Sequence, residues 1–141
     1  MTLTRIYVPL NASGLRGLDT EGALGGAPFL AHAVTEAARV SAPAASEDER
    51  EYAALKDAAR SSAALLTSGE RRRIVAAADV VADLVSPAAP AEAAVESAVL
   101  ISESVALNRI ASFHVDDDDG SEGDELMWYD VTELPVILAS L

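Results

Sequence analysis

Cysteine is absent from all 141 residues of this chain. That excludes a disulfide scaffold, a thiolate zinc site, a cysteine nucleophile and a cysteine-held iron–sulfur cluster. The absence also suits a reducing compartment. Long apolar runs are missing too, since nothing approaches the roughly 18 consecutive apolar residues that cross a bilayer. Residues 1–10 enter an alternating pattern at once, without the basic lead, apolar centre and small-residue cleavage site of a secretory signal. The expectation is a cytoplasmic protein away from membranes. Positive charge is scarce: ten Lys and Arg stand against 23 Asp and Glu, for a net charge of −13. Such a surface repels phosphate backbones and anionic lipid, so neither direct nucleic-acid binding nor membrane binding is expected. Familiar catalytic motifs are also missing. Without Gly-x-Gly-x-x-Gly, a glycine–lysine loop, Gly-x-Ser-x-Gly or His-Glu-x-x-His, dinucleotide, P-loop, hydrolase-elbow and zincin readings have no support.

What is present is an apolar content of 50% in strongly periodic order, which argues for a folded chain rather than a disordered acidic one. The length fits one domain, residues 1–141. Alanine dominates, as expected of a GC-rich genome filling helix and small-core positions. Residues 4–10 alternate as a strand does, and Pro9 removes a ladder donor, so the strand should end or lose a neighbour there. Ser13 is the expected cap of a short helix stopped by Gly22, followed by a strand over 29–35 and a brief helix opened by Thr35. Ser46 and Glu49 fit a capping box, and the periodicity behind them predicts a helix of about 20 residues ending at Gly69. The apolar run in 73–81 reads as a central strand, and further strands are expected over 95–101 and 110–115. Residues 116–124 read as an acidic surface loop, with helical segments over 125–129 and 132–141 and Thr132 as a cap. The sum is an α/β fold (α+β is the alternative): a mixed sheet of about five strands with helices packed on it.

Five motifs taken together resemble an uncharacterised family of short actinobacterial proteins. They are Arg5-Ile-Tyr-Val-Pro-Leu10, Glu51-Tyr-Ala-Ala-Leu55, Arg72-Arg-Ile-Val-Ala-Ala-Ala-Asp79-Val80, Ser112-Phe-His-Val-Asp-Asp117 and Met127-Trp-Tyr-Asp-Val-Thr-Glu-Leu134. The resemblance implies no known activity. It also implies that members often carry a longer segment before the Trp-Tyr motif, so a function residing in that insertion would be lacking here.

Candidate chemistry gathers in three places. His114, Asp116 and Asp117 lie together at a strand end, and oxygen-rich sites with few histidines suit magnesium, manganese or calcium. The spacing fits no calcium loop, and a solvated acidic loop or a partner-binding surface is the alternative. No cofactor is predicted, a divalent cation at that cluster being the alternative. Arg5, Arg71 and Arg73 are candidate anion ligands, or, for the consecutive arginines, partners of a helix C-terminus and nearby acids. Trp128 and Tyr129 are candidate interface anchors or core residues, and Tyr7, Asp79 and His32 could join a pocket at the strand ends. His32, alone in its segment, reads as structural unless it faces His114. The leading functional expectation is a non-catalytic protein whose acidic surface engages a protein partner. A small metal-dependent or anionic-ligand enzyme using His114 and Asp116 is the alternative. A homo-oligomer formed through residues 128–141 is compatible with both.

Overall fold

A computed structural model describes residues 2–88, 95–117 and 125–141. The N-terminal alternation forms strand β1 (Leu3–Leu10), with Ile6, Val8 and Leu10 in one core and Tyr7 in another. Successive side chains of a strand point to opposite faces, so a single strand serves both cores. Asn11 caps helix α1 (Ala12–Glu21), accepting from the Gly14 N–H at 2.8 Å, so the helix begins before the expected cap Ser13. Gly22, at φ 73°, closes it, because a left-handed residue returns its N–H to the last turn. Short β2 (Ala23–Leu24) and β3 (Phe29–Ala33) follow, and Thr35 caps α2 (Glu36–Ser41). Ser46 and Glu49 make the capping box of α3 (Glu47–Leu65). The helix ends four residues before Gly69, because Leu66 is extended; Gly69, at φ 89°, belongs to a separate turn from Thr67 to Glu70.

The apolar run of β4 (Ile74–Val81) is buried on both faces, as its composition implies. Then come β5 (Val85–Pro87), β6 (Ala98–Ile101), β7 (Val105–Ala106) and β8 (Ile110–Val115). The helix expected over 125–129 is corrected. Met127–Asp130 is strand β9, paired with β8 so that Trp128 lies opposite His114 and Tyr129 opposite Phe113. Asp130, rather than Thr132, caps the turn that leads into α4 (Leu134–Ser140), where Pro135 occupies the tolerant first turn.

The sheet is larger than expected and is not mixed. Among the described residues it has seven strands in the order β5-β6-β3-β1-β4-β8-β9, every neighbouring pair antiparallel. β2 and β7 pair separately. Because β3 and β4 flank β1 and both oppose it, they run parallel to each other, and the connection between them has to cross β1. Helix α3 makes that crossing and packs on β1, β3 and β4. Ala54, Ala58 and Ala59 meet Tyr7, Val75 and Ala77, small side chains that bring helix and sheet close together. The opposite face is covered by α1, α4 and the β2–β7 pair, whose Leu15, Leu18, Leu134 and Ile137 surround Phe113 and the inward residues of the strands. No helix among the described residues is long and apolar enough to cross a membrane.

Candidate functional site

The sheet forks at its centre. β1 pairs with β3 only at Ile6–Ala33 and Tyr7–His32, whereas the β1–β4 ladder continues through Pro9–Val75 to Leu10–Ile74. Pro9 lies two residues past the last β1–β3 pair, and a proline has no N–H to give a second neighbour. A cleft of about 690 Å³ occupies the fork, walled by Val8 to Leu10 on one side, Phe29 and Leu30 on the other, and the ends of α1 and α3. Helix α1 turns Gly14 and Gly17 to it. A Cβ at Gly14 would lie 3.3 Å from Leu10 Cδ2, but one at Gly17 would meet nothing within 4 Å. Glycine inside a helix costs about 1 kcal/mol relative to alanine. In a chain with 29 alanines, Gly17 therefore leaves space open where neither packing nor helix propensity asks for it.

The last turns of α3 are tied to the sheet at the base of this fork. The buried Ser62 donates to Leu10 O at 2.6 Å and accepts from the Ile74 N–H at 2.9 Å, and Asn11 Nδ2 donates to Leu65 O at 3.0 Å. These bonds place Ser61 beside His32, the last β3 residue paired with β1. His32 Nε2 is 2.7 Å from Ser61 Oγ, His32 Nδ1 is 2.8 Å from Ser97 Oγ, and Ser97 donates to Asp57 Oδ2 at 2.8 Å. The bond directions follow from the end of the chain. Ser97 has one proton and gives it to Asp57, so Nδ1–H of a neutral His32 donates to Ser97 and Nε2 accepts the Ser61 proton. Burial pushes His32 below its ordinary value, with Asp57 opposing, which favours that neutral form. Ser61 lines the cleft; Glu21 is the other polar side chain among the described residues that do so.

A second polar cluster lies on the α3 face of the sheet. Arg5 and Asp79, opposite each other on β1 and β4, form a two-pronged ion pair at 2.7 and 3.0 Å, with side chains 37% and 39% exposed. Arg5 holds Asp79 below the usual carboxylate range. Tyr7, beside them, is pushed up to about 12, first by burial and then by Glu51. His114 is 3.1 Å from Ser112 Oγ and is pushed below its ordinary value by burial and then by Arg5. His32 and His114 do not meet, because β1 and β4 lie between their strands. Asp116, just past β8, is 3% exposed, and its carboxylate accepts three hydrogen bonds of 2.8 Å from Arg73.

A family model described as a family of unknown function, DUF6912, matches residues 4–122. The chain belongs to the DUF6912 family. Searches of curated proteins and of solved structures find no match. The fifth motif, Met127 to Leu134, lies beyond the residues that the DUF6912 match covers.

In this DUF6912 chain the three consecutive arginines go to different places. Arg73 pairs with Asp116, Arg72 bonds Asp116 O and Ser140, and Arg71 is exposed beside Arg16 along a shallow hollow. Trp128 and Tyr129 also separate, since Trp128 is exposed while Tyr129 packs against the larger core. Asp117 is described, but most of the expected loop 116–124 lies outside the described residues. Among the described residues no group of three or more His, Asp and Glu stands where it could hold a metal. Sequence reasoning missed Asp57, Ser61 and Ser97. The spacing of Asp57 and Ser61, one turn apart on α3, was the one local signal available.

Proposed function

We propose that this chain binds a small, mostly apolar molecule in the fork between β1 and β3. The observation that carries the reading is the cleft itself: about 690 Å³, apolar in its walls, and lined by a helix glycine, Gly17, whose Cβ would meet nothing within 4 Å. Small-molecule sites are commonly clefts of roughly 300–1,000 Å³ with few polar groups. A metal-dependent reaction at His114 and Asp116 has less support, because Asp116 is engaged by Arg73 and His114 by Ser112. A cytoplasmic setting remains our reading, resting on the lack of cysteine. Titration with Nile red, an apolar dye, tests the site. The wild-type protein is expected to give a saturable rise in fluorescence that Gly17→Leu removes, while the melting temperature of the variant is unchanged or higher because leucine favours the helix. Equal dye binding by the two proteins would place the dye elsewhere and overturn the reading.

A second reading rests on β9. This outermost strand exposes Met127 and Trp128, 54% and 61% accessible, beside an acidic sequence segment. A basic protein partner docking along that edge fits both features, and such contacts weaken with salt. Capture by the wild type that disappears in Trp128→Ala and at raised salt is the expected result; capture indifferent to both would set this reading aside. Sedimentation distinguishes self-association.

A further inference from the structure

We infer that the cleft selects apolar ligands that carry a hydrogen-bond donor, an alcohol or phenol O–H or a neutral N–H, and that Ser61 is the residue that reads it. The inference rests on the proposed cleft and adds the chemical class of its ligand. With His32 neutral, the form that its burial favours, each bond in the chain under the cleft fixes the next. Ser97 Oγ gives its proton to Asp57, so it accepts from His32 Nδ1; His32 Nε2 is then left as an acceptor and takes the proton of Ser61 at 2.7 Å. With its proton committed, Ser61 Oγ has only lone pairs to offer a ligand.

The serine has been turned by its neighbours from a group that could donate or accept into one that accepts. Glu21, the other polar side chain lining the cleft among the described residues, accepts as well when ionised. A ligand carboxylate or carbonyl placed against Ser61 would set acceptor against acceptor, and a carboxylate would also face Glu21 and a net charge of −13. A hydroxyl or N–H completes the chain instead. His32 is 2% exposed and lies behind Ser61, so the ligand meets the serine and not the imidazole.

The test uses three probes of one shape, 1-naphthol, 1-methoxynaphthalene and 1-naphthoate, measured by calorimetry on the full chain. 1-Naphthol is expected to bind about three- to tenfold more tightly than the methoxy compound, the worth of one net hydrogen bond, and naphthoate weakest of all. In Ser61→Ala the preference for naphthol over methoxynaphthalene should vanish. Equal binding of naphthol and methoxynaphthalene by the wild type would overturn the inference while leaving the cleft in place, and that comparison needs no variant to fold. A preference that survives Ser61→Ala would also overturn it, by removing the serine from recognition. If neither neutral probe binds, or if Gly17→Leu binds both undiminished, the cleft reading falls and this inference falls with it.

Discussion

Two Arg–Asp pairs of similar geometry are expected to differ in worth, because water reaches one and scarcely reaches the other. Asp116 is 3% exposed and takes the Arg73 backbone N–H as well as its guanidinium. Asp116→Ala removes a charge and three hydrogen bonds from that buried place and should cost about 3 kcal/mol or more in urea unfolding. Arg5 and Asp79 are both more than one-third exposed, and Asp79→Ala should cost about 1 kcal/mol or less. Equal losses would mean that burial does not set the worth of these pairs. His114 supplies a pH dependence with a definite sign. Its folded form resists protonation through burial and through Arg5, so the unfolded chain binds the proton first as pH falls below the ordinary 6.5. Stability is therefore lost from about that pH downward until the folded form is protonated too. The melting temperature of His114→Gln relative to wild type should be constant above pH 7 and should rise in the variant's favour below 6.5. His32, shifted in the same direction, is present in both proteins and cancels from the comparison.

At the scale of elements, helix α3 lies on the sheet through alanines. Ala58 is fully buried in a cluster with Tyr7, Val75 and Ala77, so the three extra carbons of a leucine there have no space to enter. Ala58→Leu should destabilise the protein by about 1–3 kcal/mol despite leucine's good helix propensity. Denaturant unfolding checks this, and a neutral result would show that helix and sheet can move apart without cost. β1, β4 and β8 carry their signals locally, in alternation or a continuous apolar run, and the Ser46–Glu49 box announces α3 whatever covers it. β9 was misread because Met127, Trp128 and Tyr129 form an apolar stretch with no period of its own; only pairing with β8 makes it a strand. The two-residue strands β2 and β7 and the strand order likewise exist only as long-range contacts. The candidate site was less legible still. His32, Asp57, Ser61 and Ser97 come from three separate stretches of chain, and apart from the one-turn step from Asp57 to Ser61 on α3 no spacing links them. Pro9 alone hinted at the cleft, through the donor it lacks.

For the whole molecule the governing quantity is charge. Even if each of the ten basic residues neutralised one acid, 13 of the 23 acids would remain, so net repulsion is the expected balance. Seven of the acids fall within residues 116–125 and five within 47–57, which concentrates the repulsion rather than spreading it. The segment 47–57 is partly relieved by the positive end of α3 and by Arg39, Arg50 and Arg60. The Debye length falls from about 30 Å in 0.01 M salt to about 10 Å in 0.1 M. Across a chain of 14.6 kDa the lower salt therefore lets most acids sense one another, whereas the higher salt confines each to its neighbours. Unfolding separates the charges, so low salt favours the unfolded chain. The melting temperature is expected to rise by several degrees, corresponding to about 1–2 kcal/mol, as sodium chloride goes from 10 to 300 mM. Surface ion pairs act in the opposite direction, and a melting temperature that falls with salt would mean that they dominate. Replacing Asp117, Asp118 and Asp119 by asparagine should flatten the rise. A slope unchanged by those three substitutions would show that the repulsion resides elsewhere.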